Sequence, residues 1–133
     1  MPAMRLMLAE RGTEAELERL AARGFWFDLK IDGIRALVTV QPGASDGPAV
    51  SMTSRNGLDL TGRYPELVIA LQELPDLPPD ELVLDAEIAV PGSDGFPSWP
   101  LTHRRTAQRG KRPVVADVSA VLYVFDVLRH QGR

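Results

Sequence analysis

Residues Phe25–Val40 read FWFDLKIDGIRALVTV, and the alternation in this stretch decides the fold class. Phe25, Phe27, Leu29 and Ile31 recur at period two, with Trp26, Asp28 and Lys30 between them, which predicts a strand. Asp32-Gly33 then interrupts and allows a tight turn. Ile34–Val40 resumes as a second strand rich in β-branched residues. Ile34, Ala36, Val38 and Val40 are expected to face a core, with Arg35 on the other side and beside Lys30 on the adjacent strand.

Working outward, QPGASDGPA (Gln41–Ala49) is a polar turn and VSMTS (Val50–Ser54) a short strand. RNGLDLTGRYPEL (Arg55–Leu67) is loop-like. YPELVIALQEL (Tyr64–Leu74) has helical spacing, with Leu67, Ala70, Leu71 and Leu74 on one side. LVLDAEIAV (Leu82–Val90) alternates again, placing Leu82, Leu84, Ala86 and Ile88 opposite Val83, Asp85 and Glu87. LTHRRTAQRGKR (Leu101–Arg112) predicts a short basic helix that frays at Gly110. SAVLYVFDVL (Ser119–Leu128) predicts a last strand with Tyr123, Phe125 and Val127 on one face. Upstream, TEAELERLAARG (Thr13–Gly24) predicts a packing helix. Thr13 and Glu16 have capping-box spacing, Gly24 ends the helix, and Leu17, Leu20 and Ala21 form its apolar stripe. Strands not regularly separated by helices argue for an α+β domain of mainly antiparallel sheets with flanking helices. A helical lead-in occupies about residues 1–24 and the sheet region about 25–133.

The chain has 133 residues, enough for one domain with a modest core. It has 44% hydrophobic and 25% charged residues, as soluble globular proteins do. The absence of cysteine excludes disulfides and thiolate metal sites and suits a cytoplasmic location. The N-terminus lacks the apolar core of a signal peptide, and no run has membrane-spanning length. The formal net charge of -3 argues against a generic nucleic-acid binder, but the charge is uneven. His103–Arg112 is basic: it suits DNA phosphates, or a solvated helix face. His103 and His130 have no metal-ligand spacing, and Trp26 and Trp99 read as packing residues.

Lys30 stands out chemically. It is one of only two lysines, with Lys111, in a chain that otherwise uses arginine. A lysine amine becomes a nucleophile when its pKa is depressed, which arginine cannot match. The alternative is a snorkelling lysine paired with Asp28 or Asp32. Asp85 and Glu87 share one strand face. They suit a water-bridged Mg²⁺ or a ribose hydroxyl, or else an acidic solvent-facing edge. Phe125, near Tyr123, suits a base-stacking face or ordinary packing.

LKIDGIR resembles the KxDGxR nucleotidyl-transfer motif of the ATP-dependent DNA ligases, the RNA ligases and the mRNA capping enzymes. SRNGLDLTGRYPEL, LDAEIAV and YVFDVL resemble later blocks of that family in the same order. The SRNG block leans toward DNA ligases, particularly the bacterial end-joining kind. The resemblance implies a nucleotidyltransferase (ATP-grasp-like) adenylation domain that uses ATP and Mg²⁺ on nicked double-stranded DNA. It also implies roles. Lys30 attacks the α-phosphate of ATP and forms lysyl-AMP, with local cations and partial burial keeping it reactive near neutral pH. Asp28 and Arg35 contact the nucleotide. Glu87 contacts the ribose or helps to place a metal, Phe125 stacks on adenine, and Arg55 grips DNA near the nick. Asp28 departs from the glutamate usual at its position.

Two later family motifs, a glutamate-glycine block and a strand with two phosphate-binding lysines, have no counterpart after Phe125, and neither does an OB-fold domain. The expectation is the N-terminal part of an adenylation domain, incomplete alone, with a further domain or chain completing the site. Two other readings remain at this point: an RNA ligase or capping-type nucleotidyltransferase, and a non-catalytic nucleotide- or DNA-binding module.

Overall fold

A computed structural model describes residues 6, 10–25, 28–43, 46–107, 118–130 and 132. The chain divides into two units, Met1–Lys30 and Ile31–Arg133.

The first unit carries helix α1, Glu14–Ala22. The capping box forms as its sequence predicts. The Glu16 amide donates to the Thr13 hydroxyl, and the Glu16 carboxylate accepts from the Thr13 amide at 2.8 Å. The Thr13 amide first, and the Thr13 hydroxyl donating to the same carboxylate oxygen second, hold the Glu16 carboxyl below its ordinary 4.5. At the other end Gly24 adopts φ +75°, and Phe25 N–H reaches the carbonyl of Leu20, closing a Schellman motif. The expectation of a packing helix fails, because α1 buries none of its residues and Leu17 is half exposed.

The expected strand over Phe25–Lys30 also fails. Residues 28–32 are not in a strand, and Trp26 and Phe27 lie outside the described residues. Asp28 turns its carboxylate back onto the amide of Leu29 at 3.0 Å. Such a local bond competes with a ladder. Leu29 is 80% exposed, so the alternation has no core to face. Asp32-Gly33 is a bend rather than a hairpin turn, so Lys30 and Arg35 are not cross-strand neighbours.

The second unit is built on a four-stranded antiparallel sheet in the order β2-β1-β3-β4. The strands are β1 (Ile34–Gln41), β2 (Ala49–Ser54), β3 (Leu82–Ala89) and β4 (Val121–Arg129). β1 buries Ala36, Val38 and Val40, as its alternation predicts. β2 is backed by its own return, where the Leu60 amide donates to the Met52 carbonyl and the Ser54 amide to that of Leu58.

A 3-10 turn, Thr61–Arg63, leads into α2 (Pro65–Gln72), with Pro65 in the first turn where its missing N–H is harmless. Leu67 and Leu71 of α2 join Leu60, Tyr64, Val118 and Ala120 over the sheet's Ala36, Val38, Met52, Leu84, Ala86 and Ile88. α3 spans Trp99–Ala107. Its buried Thr102 accepts from the Val90 amide and donates to the Ser98 carbonyl, both at 2.8 Å. Trp99, expected to pack, is half exposed against His103.

β4 departs from period two. Asp85 pairs with Asp126 and Ala86 with Val124, so the ladder steps past Phe125. A second step past Leu128 puts Val127 opposite Leu84. Tyr123 and Asp126 therefore share the face of Glu87 and Asp85, while Val124 and Val127 share the core face. This corrects the grouping of Val127 with Tyr123. It follows from the inserted residue, which switches the phase of Asp126 and Val127 until the second step restores it at Arg129.

Candidate functional site

The face of the sheet away from the core carries the charged groups. β1 contributes Arg35, directly opposite Glu87 of β3. The guanidinium leans one pleat along β3 to Asp85. Nε donates to Oδ1 at 2.5 Å and a terminal nitrogen to Oδ2 at 2.6 Å, a bidentate pair. Asp85 is 6% exposed, so its charge is compensated where water is scarce. The Asp85 hydrogen bond and the nearby Glu87 charge push the Arg35 pKa above its ordinary value. From β4, the ring of Phe125 lies under the same guanidinium, 4.9 Å from ring centre to the central carbon. Phe125 keeps 39% of its surface exposed.

Glu87 anchors the motif backbone. Its Oε1 accepts from the Gly33 amide at 3.1 Å. Gly33 is required by proximity rather than by its dihedral angles. A Cβ there would stand 2.3 Å from the carbonyl oxygen of Ile88 and 2.9 Å from Cγ of Glu87. The glycine of KxDG is thus the residue that lets the bend lie against β3.

The sheet brings Arg35, Glu87 and Phe125 together, from three strands. Asp85 joins them in a role the sequence did not reveal. It is not part of a solvent-facing edge, because β3 lies inside the sheet, and both of its oxygens accept from Arg35. A carboxylate two residues from a known one on a strand, with an arginine on the neighbouring strand, was the available signal.

Lys30 and Asp28 belong to the first unit, and both are exposed rather than partly buried. Lys30 precedes the Gly33 bend by three residues. Arg55 is exposed in the turn that follows β2.

The basic run reads differently in the structure. Arg105 is buried, not offered to DNA. It donates to the Arg63 carbonyl at 2.7 Å and to both oxygens of Glu66 at 3.1 Å, above the Tyr64 ring. Glu66 also accepts from the Ala120 amide at 3.2 Å, just before β4. Arg104 is exposed, and residues 108–112, with the expected fraying at Gly110, lie outside the described residues.

Mg²⁺ finds no cage here. Among the described residues no group of three His, Cys, Asp or Glu side chains is arranged to hold a metal ion. Glu87 has one oxygen on Gly33, and Asp85 is committed to Arg35. No described helix is long and apolar enough to cross a membrane.

Comparison with known proteins finds relatives over most of the chain. The multifunctional non-homologous end joining DNA repair protein LigD of Mycobacterium tuberculosis is 35% identical over 127 residues, covering 96% of this chain and 14% of LigD. A probable DNA ligase of Mycolicibacterium vanbaalenii is 33% identical over 129 residues, covering 95% of this chain and 22% of that protein. The crystal structure of the ligase domain of M. tuberculosis LigD superposes with a TM-score of 0.59 at 34% identity, covering 78% of this chain and 29% of that one. A mycobacterial DNA ligase D complexed with ATP and MES matches equally well. The chain thus spans under a third of these relatives. Residues 6–133 match the ATP dependent DNA ligase domain, and the chain belongs to that family.

Proposed function

We propose that the chain is the N-terminal part of a DNA ligase adenylation domain, in which Lys30 takes AMP from ATP for transfer to nicked DNA. The observation that carries this reading is the meeting of Arg35, Glu87 and Phe125 on one sheet face, directly after the KxDG bend.

The deprotonated Lys30 amine attacks the α-phosphorus in line. The new N–P bond forms as the bond to the bridging oxygen breaks, and pyrophosphate departs with that oxygen. Phe125 offers a face to the adenine, and Arg35 and Glu87 offer polar groups to the ribose and phosphate. Asp28 contacts the nucleotide from the lysine's own segment. Lys30 is exposed rather than buried. Desolvation has to accompany nucleotide binding or closure by a further domain or chain. Glu87, which accepts from the Gly33 amide, would help to place a Mg²⁺ ion, and the ion would supply charge neutralisation to the phosphates. AMP then passes to the 5′-phosphate at a nick in double-stranded DNA, near Arg55, and the 3′-hydroxyl displaces it.

The family's paired lysines, which neutralise the transferring phosphate, have no counterpart in these residues. Losing one such contact lowers the rate about 10²–10³-fold. The chain alone is therefore expected to adenylate slowly and to seal nicks at a still lower rate.

Incubation with α-labelled ATP and Mg²⁺ tests the reading. An acid-labile label on the chain that disappears in Lys30→Ala is the expected result. Equal labelling of Lys30→Ala overturns the lysine assignment, and rapid nick sealing by the chain alone overturns its incompleteness.

A further inference from the structure

We propose that Asp85 is a positioning residue for the nucleotide: it holds Arg35 across one face of the Phe125 ring, so that the other face is presented to the base. The inference rests on the adenylate reading above.

Phe125 is the residue the β4 ladder steps past, so no cross-strand partner fixes it. A bulged side chain is re-aimed but not, by itself, held. The Arg35 guanidinium lies against it, 4.9 Å from the ring centre. Arg35 would ordinarily reach straight across to Glu87, its register partner. It leans instead to Asp85, whose two oxygens take Nε and a terminal nitrogen. That fork fixes the guanidinium plane as well as its position, and the plane is what packs on a ring. The buried Asp85 carboxylate is thus the fixed point of a stack of three groups on three strands.

The same arrangement divides the arginine. Two of its nitrogens are engaged by Asp85, and the remaining terminal nitrogen is the one left to meet a ribose or phosphate oxygen. Asp85 itself contacts no nucleotide. Its removal should weaken nucleotide binding without changing the chemical step on a bound nucleotide.

The test uses the full chain with Mg²⁺ and the triphosphate of 2-aminopurine riboside, whose fluorescence is quenched on stacking. Asp85→Asn and Phe125→Leu should each weaken binding about tenfold. The double variant should lose less than the product of the two single losses, because the ring-stacking part of the Asp85 effect is already gone in Phe125→Leu. At saturating ATP the adenylation rate of Asp85→Asn should stay within about threefold of the parent. If Asp85→Asn folds poorly, Asp85→Glu replaces it. Glutamate keeps the charge but displaces the fork on Arg35, so a drop with the same partial non-additivity is expected.

A second readout needs no nucleotide. The Arg35 Nε–H proton resonance should be shifted by the Phe125 ring in the parent chain. The shift should vanish in Asp85→Asn and in Phe125→Leu. Additive losses in the double variant, or an unchanged resonance in Asp85→Asn, overturn the proposal. If the parent chain binds no nucleotide, the adenylate reading falls, and the resonance alone decides whether Asp85 sets the ring.

Discussion

Gly33→Ala concentrates its effect on one contact. The added Cβ would sit 2.3 Å from the carbonyl oxygen and 3.0 Å from the carbonyl carbon of Ile88, where ordinary contact begins at 3.4 Å. Ile88 cannot yield, because it is paired with Ile34 on one side and Leu122 on the other. The 31–33 bend must therefore retreat by about 1 Å, which stretches the 3.1 Å bond from the Gly33 amide to Glu87 beyond useful range. Overpacking of this kind costs about 1–3 kcal/mol. Losing a hydrogen bond to a charged acceptor adds about 1.5–3 kcal/mol. A loss of about 2.5–6 kcal/mol is large against the ~5–15 kcal/mol that holds a small domain together. Urea unfolding followed by circular dichroism measures it by linear extrapolation. Gly62→Ala is the control, since a Cβ there meets nothing within 4 Å, and it should change stability by less than about 0.5 kcal/mol. Should Gly33→Ala unfold at the same midpoint as Gly62→Ala, close approach to β3 is not why this position is glycine.

Other consequences follow from neighbouring contacts. Glu66→Ala strips the carboxylate from the buried Arg105 and the acceptor from Ala120, and should destabilise by about 3–5 kcal/mol in a thermal melt. Glu66→Gln, which keeps an acceptor for Ala120, should cost less. Glu81 bridges Gln41 at 3.0 Å and Arg129 at 2.7 Å, and its pKa is lowered below the ordinary 4.5 by the Gln41 bond first and the Arg129 bond second. A depressed carboxyl contributes fully above the unfolded value and loses that contribution as pH falls through the folded one. Stability should therefore drop with acid below about pH 4.5, and more steeply in the parent chain than in Glu81→Gln, as read from melting temperatures across pH 2.5–6.

Much of the sheet was legible because its strands obey a single rule. β1 and β3 bury Ala36, Val38, Val40, Leu84, Ala86 and Ile88 as expected, with Ile34 and Leu82 partly buried against them, although β3 also buries Val83 and Asp85 on its other face. The Thr13–Glu16 spacing and Gly24 marked both ends of α1 in advance. The failures have physical causes. Phe25–Lys30 alternates as a strand does, yet no described neighbour pairs with residues 28–30, and a pattern without a partner makes no ladder. The one-residue step in β4 is invisible to period-two counting, so Val127 was assigned to the wrong face. Arg105 looked like one of several exposed cations, because sequence does not reveal that Glu66, 39 residues earlier, turns toward it. Site residues were found by the chemistry they could carry. The role of Asp85 became visible only when three strands were laid side by side.

The skipped position in β4 has an evolutionary consequence. A residue in regular pairing cannot change size or character without disturbing the partner across from it. Phe125 has no such partner, while Asp126 and Val124 on either side remain paired with Asp85 and Ala86. Selection can therefore exchange the side chain at this single point, and retune what it packs against, while the sheet that carries it stays untouched.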